Sequence, residues 1–333
     1  MKKIAFAIAI SLVILLCACT NEVPATDVSE EEVDNLILVG FSQVGAESEW
    51  RVANTESMKA ALSEENGYEL IFDDARNENE NQIRAIRTFI QQDVDYIVFS
   101  PRVETGWNLI LQEAKEAGIP VIVTDRYIEA GDEDLYTAYI GSDFHKEGEK
   151  AVQWLEDLLE KQGRTAKPIR IVHIQGTIGS SAQIGRTAAL EQAVSQNPNW
   201  EIVAQEDGDF TRAKALEVMD AILEQTKDID VVYCENDGEA LGAIDAMEKA
   251  GLTCNADDGV IVISFDASRL GLEYCLEGKI GLNIECNPLQ GPYVDGIIKR
   301  LQRGDTIERE KYIDETQFDY TTITQDMIDR REY

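Results

Sequence analysis

Charged and amide side chains follow the ends of several apolar runs in this chain, where they could bind a polar ligand. Asp125 and Arg126 follow one run, Asn236 and Asp237 follow another, and Asp266 ends a third. In open parallel sheets, ligands bind beyond the carboxyl ends of the strands. Capping of the next helix is the alternative explanation for Asp and Asn. It explains an arginine poorly, because a helix N-terminus disfavours a cation.

The candidate residues combine hydrogen-bond acceptors, guanidinium donors and aromatic rings. They are Asp125, Asn236 and Asp266, then Arg51, Arg126 and Arg186, then Trp50 and Phe210. This combination suits a sugar, because an aromatic face stacks on the C–H face of the ring while hydroxyls pair with carboxylates and guanidinium groups. Unpaired buried hydroxyls are costly, so such a site can discriminate between sugars. Trp50 and Phe210 are explained equally well as core aromatics.

Apolar runs alternate with helical patterns along most of the chain, in two series. The predicted strands of the first series are Leu36–Phe41, Tyr68–Asp73, Tyr96–Ser100 and Val121–Asp125, and those of the second are Ile169–Gln175, Trp200–Gln205, Val231–Glu235 and Val260–Asp266. Continuous apolar strands separated by helices indicate parallel sheets covered on both faces. The two series therefore predict two similar α/β lobes, and the residues after Arg303 are interpreted as a polar tail.

The N-terminus has the pattern of a secretory lipoprotein signal. Lys2 and Lys3 precede an uncharged apolar run, and Leu16-Cys17-Ala18-Cys19 has the form of a lipobox. Residues 1–19 are predicted to be the signal peptide with a lipidated Cys19, and residues 20–35 a flexible tether. A transmembrane anchor is the alternative, but a span needs about 20 apolar residues. We expect an extracytoplasmic protein attached to the outer face of the cell membrane by lipid alone.

Charge and cysteine content exclude several classes of partner. The formal net charge is -33, which argues against binding nucleic acid and against docking on an anionic membrane surface. Cys234, Cys254, Cys275 and Cys286 show no zinc-ligand spacing, so no metal is expected. Outside the cell these four cysteines could pair in three ways, and the sequence does not select one.

An enzyme is the main competing class, and the sequence does not favour it. Of the two histidines, His145 and His173, the second lies in an apolar strand and is better explained as a core residue. Neither a G-x-S-x-G elbow nor an H-E-x-x-H motif is present. The segment 176–181 (GTIGSS) lacks the ending of a phosphate-binding loop. We therefore expect a binding protein without catalytic residues.

Several short segments resemble one family of binding proteins. They are VGFSQVG and ESEWR within 39–51, ENQI at 80–83, DR at 125–126, IQGT at 174–177, GDFTR at 208–212 and ND at 236–237. The chain is similar, from Leu36 to about Phe318, to the periplasmic sugar-binding proteins of ABC transporters, the ribose/galactose-type group. The ESEWR and DFTR segments resemble the galactofuranose branch in particular.

The resemblance implies a periplasmic-binding-protein type I fold, in which a three-strand hinge joins two doubly wound parallel-sheet lobes. Residues 36–142 and 287–315 would form the N-terminal lobe, and residues 143–286 and 316–333 the C-terminal lobe. The implied function is capture of a monosaccharide, a furanose such as galactofuranose, by closure of the lobes. A monomer without a cofactor would deliver the sugar to an ABC permease. The alternative is a sugar sensor of the same fold that signals to a membrane kinase or chemoreceptor.

The resemblance also implies which residues bind the sugar. They are Asp125 and Arg126 from one lobe, Arg186, Asn236 and Asp266 from the other, Trp50 and Phe210 on the ring faces, Arg51 as a further donor, and Ser42 and Glu47 from the first loop. Two departures point away from ribose: Cys286 stands where ribose binders place a glutamine, and Ser100 precedes Pro101 where they have an asparagine. Asp266 is followed by Ala267 rather than the usual glycine.

Overall fold

The computed structural model describes residues 36–333, which contain two six-stranded sheets. Cys19 and the predicted tether 20–35 lie outside the described residues. Between residues 36 and 333, no helix combines the length and the apolar content that crossing a bilayer requires.

The first sheet consists of parallel strands in the spatial order β11-β5-β4-β3-β1-β2. Its strands are β1 (Ile37–Gln43), β2 (Tyr68–Asp74), β3 (Tyr96–Phe99), β4 (Val121–Asp125), β5 (Ala138–Gly141) and β11 (Glu310–Tyr312). Its helices are α1 (Glu49–Ala61), α2 (Asn79–Gln91), α3 (Asn108–Glu116) and α9 (Gly291–Gln302). Helix α9 comes late in the chain but packs against α1.

The second sheet has the matching order β12-β10-β9-β8-β6-β7, in which only β12 is antiparallel to its neighbour. Its strands are β6 (Ile169–Gln175), β7 (Trp200–Asp207), β8 (Val231–Cys234), β9 (Ile261–Asp266), β10 (Leu282–Glu285) and β12 (Gln317–Asp319). Its helices are α4 (Phe144–Lys161), α5 (Ser181–Gln196), α6 (Arg212–Gln225), α7 (Asp237–Lys249), α8 (Arg269–Leu276) and α10 (Gln325–Asp329).

Helices cover both faces of each sheet, which explains why the central strands are apolar along their whole length. Every residue of β3, β4, β8 and β9 is buried. Two apolar clusters lie on the opposite faces of each sheet. The prediction of two parallel-sheet α/β lobes is therefore confirmed.

The chain crosses between the sheets three times: after β5, after β10, and between β11 and β12. The crossing segments bond to one another. The Glu285 amide donates to the Thr316 carbonyl at 3.0 Å, and the Ile313 amide donates to the Gly141 carbonyl at 2.9 Å. This is the three-strand hinge of the expected fold.

The interpretation of the residues after Arg303 as a polar tail is wrong. The segment forms edge strands β11 and β12, followed by helix α10. All three residues of β11 are exposed, so the strand has no apolar pattern in the sequence. The four cysteines of the described chain are free and buried, and His173 is fully buried against Glu235, as a core residue would be.

Candidate functional site

A cavity with about 30 Å³ of internal space lies between the carboxyl ends of the two sheets. Its walls are Glu47, Ser48, Trp50, Arg51, Asp125, Arg126, Phe144, Ala182, Arg186, Phe210, Asn236, Asp266 and Cys286. Nine of the ten residues that we predicted from the sequence to bind the ligand are in this wall. The exception is Ser42, which is fully buried within β1 and does not reach the cavity.

Four residues of the wall were not in the proposed set: Ser48, Phe144, Ala182 and Cys286. Ser48 is the N-cap of α1, and its hydroxyl accepts a hydrogen bond from the Arg51 amide at 3.1 Å. The other three form an apolar cluster with Trp50 and Phe210. Phe144 and Ala182 lie in the first turns of their helices. Their position at a helix start is the only feature of the sequence that could have indicated a place in the cavity wall.

Two arginines and two carboxylates form a buried ion-pair network on the N-terminal side of the cavity. Arg51 donates to Asp125 at 2.6 Å and to Glu47 at 2.9 Å. Burial alone would lower the pKa of Arg51, but these two carboxylates outweigh it and raise that pKa. The carboxylate of Glu47 also lies 3.5 Å from Arg126. The pKa of Glu47 is lowered, because the charges of Arg51 and Arg126 outweigh the effect of burial.

Arg126 has weaker support than Arg51. One of its Nη atoms donates to the Arg102 carbonyl at 2.9 Å, and its guanidinium lies 5.1 Å from the centre of the Phe210 ring. Burial, together with repulsion from Arg51, lowers the pKa of Arg126 to about 10. A ligand hydroxyl that accepts a hydrogen bond from this guanidinium would replace part of its lost hydration.

The C-terminal side of the cavity holds Arg186 between aromatic rings and a carboxylate. Its guanidinium lies 5.2 Å from the Phe144 ring centre and 4.6 Å from that of Phe265. Its Nε donates to Glu147 Oε2 at 2.7 Å. The pKa of Arg186 is raised well above its usual range, because the Glu147 carboxylate outweighs the effect of burial.

Asn236 and Asp266 complete the polar wall on this side. The Asn236 side chain caps α7 by accepting from the Glu239 amide at 2.8 Å, and its amide group donates to the Phe210 carbonyl at 3.1 Å. Burial, with a smaller contribution from the Asp237 carboxylate, raises the pKa of Asp266 well above its usual range. A hydroxyl donor from a ligand would favour the ionised form of Asp266.

Two polar atoms in the wall are buried without a hydrogen-bond partner: Glu47 Oε2, an acceptor, and Arg186 Nη2, a donor. Nη2 lies 2.7 Å from Glu147 Oε2, yet the angle is unsuitable for a hydrogen bond. A buried acceptor without any partner costs about 1–3 kcal/mol, whereas Arg186 Nη2 is still stabilised by the charge of Glu147. A ligand with adjacent groups that donate and accept, such as sugar hydroxyls, would satisfy both atoms.

The aromatic side chains are fixed by contacts of their own. Trp50 Nε1 donates to the Cys286 carbonyl at 2.6 Å, which ties α1 to the second hinge segment. The Phe210 ring packs against the backbone at Gly176, where any Cβ would collide with it. Glycine is therefore required at position 176 for this ring to reach the cavity wall.

Three residues of the wall have left-handed backbone conformations, with φ of 63° at Asp125, 56° at Phe210 and 103° at Asp266. Ala267 follows with φ of 53°. Such conformations cost about 1–3 kcal/mol at residues other than glycine, and they cluster at functional sites. In this chain they turn the side chains at strand ends toward the cavity.

Hydrogen bonds also connect the two lobes across the cleft. Asn77 Nδ2 donates to Asp209 at 3.2 Å, the Glu104 amide to the Gly179 carbonyl at 2.9 Å, and the Tyr127 amide to Ser181 Oγ at 2.8 Å. The structure is therefore the closed form of a two-lobed protein. Fold and cavity together define a binding protein that encloses a small polar ligand between two α/β lobes.

The chain belongs to the periplasmic binding protein family, because the model of the periplasmic binding protein domain matches residues 39–285. The chain is 37% identical to the galactofuranose-binding protein YtfQ of Escherichia coli K12, over 82% of this chain and 85% of that protein.

Solved structures of the family superpose over most of both chains. A Mycobacterium smegmatis protein in complex with β-D-fucofuranose is 43% identical with a TM-score of 0.81, over 86% of this chain and 92% of that one. The arabinose-transporter binding protein of Shewanella sp. ANA-3, bound to L-arabinofuranose, is 37% identical with a TM-score of 0.81, over 89% and 95%. The fructose-binding periplasmic domain of the hybrid two-component system BT1754 is 26% identical with a TM-score of 0.76, over 86% and 92%.

Proposed function

We propose that this protein captures a monosaccharide, a furanose such as galactofuranose, between its two lobes and delivers it to an ABC permease. The observation that carries the proposal is one cavity wall in which the buried acceptor Glu47 Oε2 has no hydrogen-bond partner and the Arg186 guanidinium lies together with Trp50 and Phe210. The furanose complexes of two similar proteins support the choice of ring form.

The enclosure of the cavity favours one sugar ring over a chain of rings. The space left inside the closed cavity is small, about 30 Å³. Ion pairs and cross-lobe hydrogen bonds surround the cavity on both sides. A chain of rings that extended beyond the cavity would prevent these contacts from forming when the lobes close.

The proposed mechanism is closure of two lobes about the hinge, with residues 36–142 and 287–315 in one lobe and 143–286 and 316–333 in the other. The proposed binding residues come from both lobes. Ser42 is not among those that would contact the sugar, because it does not reach the cavity. A sugar that bonds to Arg126 on one side and Asp266 on the other binds the closed form better than the open form. That difference in affinity shifts the population toward closure, which is the form that we propose the permease recognises.

Attachment to the membrane rests on the sequence of the N-terminus. We infer that Cys19 carries lipid, so that the protein works outside the cell membrane without a spanning helix. Replacing Cys19 with alanine is expected to remove palmitate labelling. Equal labelling of that variant and the parent would contradict the inference.

A non-enzymatic role is part of the same proposal, and the protein is expected to act as a monomer.

The second candidate function is sensing, which is favoured by the likeness to the fructose-binding periplasmic domain of a two-component system. Uptake of labelled sugar by cells that lack this protein distinguishes the two functions. Transport predicts that uptake is lost, whereas sensing predicts that only the transcriptional response to the sugar is lost.

Calorimetric titration of the chain from residue 21 onward tests the proposed ligand. The panel is galactose, arabinose, ribose, xylose and glucose. For a furanose binder, galactose should bind tightly but with far less than one site filled per sugar added, since its furanose form is a minor species. Full occupancy by a pyranose would move the preference to another sugar, and no binding to any of the five would contradict a monosaccharide site.

A further inference from the structure

Behind the cavity, all three hinge segments meet at the Glu315 carboxyl group. Its Oε1 accepts from Ser142 Oγ at 2.6 Å and from the Asn287 amide at 2.7 Å. Ser142 follows β5, Asn287 follows β10, and Glu315 lies between β11 and β12. The Glu315 backbone carbonyl accepts from Lys150 Nζ of α4 at 2.7 Å. One side chain therefore joins the three crossings to one another.

Glu147, from the first turn of α4, links this group to the cavity. It is 1% exposed, and its Oε2 accepts from Arg186 Nε while its Oε1 is buried without a donor. The carboxyl groups of Glu147 and Glu315 are within hydrogen-bonding reach of each other. One oxygen of each carboxyl group and Cys286 Sγ all lie within 4.8 Å of one another.

Glu147 is buried and Glu315 is half-buried, and ionisation of both neighbouring carboxyl groups is costly, which favours a proton on one of them. Burial and, next, the Glu147 carboxylate raise the pKa of Glu315 to about 9. Arg186 favours the ionised form of Glu147, although burial still raises the pKa of Glu147. Because Glu315 Oε1 already accepts two hydrogen bonds, its other oxygen can carry the proton toward Glu147 Oε1.

The neighbours of the pair favour a proton over a metal ion. The groups that face it are Arg186 from α5, Lys150 from α4, the Cys286 thiol, Ser142, Tyr139 from β5 and, further away, Asp266 at the end of β9. Two of these groups are cations, which would repel a divalent ion. A surface crevice lined by Glu147, Lys150 and Glu315 gives solvent a path to the pair.

We propose that Glu147 and Glu315 form a carboxyl pair that shares one proton, holds the hinge in its closed geometry and positions Arg186 for the sugar. Both are positioning residues, and their effect on affinity rests on the proposed sugar-binding function. Protonated Glu315 donates to Glu147, which holds the Arg186 guanidinium. When the proton is lost at alkaline pH, the two carboxylates repel each other, and both the hinge and Arg186 lose this support.

The first test is the affinity for D-galactose, measured by calorimetry from pH 6 to pH 10 in the presence of a chelator. Glu315→Gln mimics the protonated group, because its carbonyl can accept from Ser142 and Asn287 while its NH₂ donates to Glu147. Exposed Glu308→Gln removes the same charge elsewhere and serves as the control. The parent and E308Q are expected to lose about tenfold or more in affinity between pH 7 and pH 10, and E315Q only about twofold, because Arg126, whose pKa is lowered to about 10, titrates in every variant.

The same loss in E315Q as in the parent would overturn the proposal. So would a parent profile that changes when the chelator is replaced by Zn²⁺, because a metal ion would then occupy the pair. Glu147→Gln removes the other carboxylate and is expected to reduce the alkaline loss to the same extent as E315Q, although at lower affinity because Arg186 is less firmly held. It keeps the test valid if E315Q does not fold.

A measurement without sugar separates this proposal from the proposed function. A group whose pKa is raised in the folded state stabilises that state fully below its unfolded pKa, and the stabilisation is lost as pH rises through about 9. The melting temperature of the parent should therefore fall more between pH 7 and pH 10 than that of E315Q. Equal falls would overturn the shared proton, whereas failure of the parent to bind any sugar at pH 7 would contradict the proposed function alone.

Discussion

At the residue scale, the charges of the cavity fall into two groups with different tasks. Arg51 is held by several protein partners through its Nε and Nη1 atoms, among them Asp125, Glu47 and Ser100, so much of its charge is already paired within the wall. Arg126 and Asp266 have fewer partners within the protein, and burial shifts the pKa of each toward the neutral form. Groups of the second kind gain most from a ligand, because its hydroxyls replace their lost hydration.

Replacing Arg126 or Asp266 with alanine is expected to weaken sugar binding by about 30-fold or more. Removing one partner of a buried, charge-assisted hydrogen bond costs about 2–5 kcal/mol of binding free energy. Calorimetric titration with the preferred sugar measures the loss. Arg84→Ala is the control, because this arginine is exposed on α2. If either site variant bound the sugar as tightly as the parent, the site assignment would be wrong.

At the scale of elements, helix N-termini supply much of the cavity wall. Ser48 caps α1, Asn236 caps α7, and Phe144 and Ala182 lie in the first turns of α4 and α5. A cap residue in the wall therefore has two roles, one in the stability of its helix and one in ligand binding. The two roles can be separated by substitution.

Asn236→Ala is expected to lower the free energy of unfolding by about 1 kcal/mol, through loss of the α7 cap, and also to weaken sugar binding. Thr324→Ala removes the cap of α10, which is not part of the cavity wall, and should reduce stability with the sugar affinity unchanged. Urea denaturation and calorimetry measure the two quantities. An unchanged sugar affinity in the Asn236 variant would restrict Asn236 to the capping role.

The secondary-structure elements also show which parts of the fold could be predicted from the sequence. Strands β4 and β6 have the predicted bounds, because their continuous apolar runs end at polar residues. The edge strands after residue 303 were missed, since an exposed strand that pairs on one side has no apolar signature. In the cavity wall, charged residues at strand ends could be predicted, whereas Phe144 and Ala182 could not. Their sequence signal is that of ordinary buried residues, and only packing brings them to the cavity.

At the scale of the whole molecule, the closed form depends on contacts that never touch the ligand. Asn77, Glu104 and Tyr127 bond across the cleft to Asp209, Gly179 and Ser181. Each such bond stabilises the closed state relative to the open one. The apparent affinity for a ligand falls when the competent state becomes less populated.

Asn77→Ala is therefore expected to weaken sugar binding by about three- to tenfold, which corresponds to loss of a net hydrogen bond of about 0.5–1.5 kcal/mol. Asn77 lies outside the cavity wall, but its Oδ1 also accepts from Arg102 Nε at 2.9 Å, so a second measurement is needed to assign the effect to closure. Small-angle scattering of the sugar-free variant should show a larger radius of gyration than that of the parent. Asn66→Ala, on the exposed surface after α1, is the control. Unchanged affinity and radius would show that this bond does not contribute to closure.

The central claim is that a single sugar ring is enclosed between the lobes and contacted from both. A crystal structure of the chain from residue 21 onward, grown with D-galactose, tests it most directly. We expect one furanose ring between Trp50 and Phe210, with hydroxyl groups bonded to Glu47 Oε2 and Arg186 Nη2. A sugar bound outside this cavity, or one that contacts a single lobe only, would show that the lobes do not enclose the ligand.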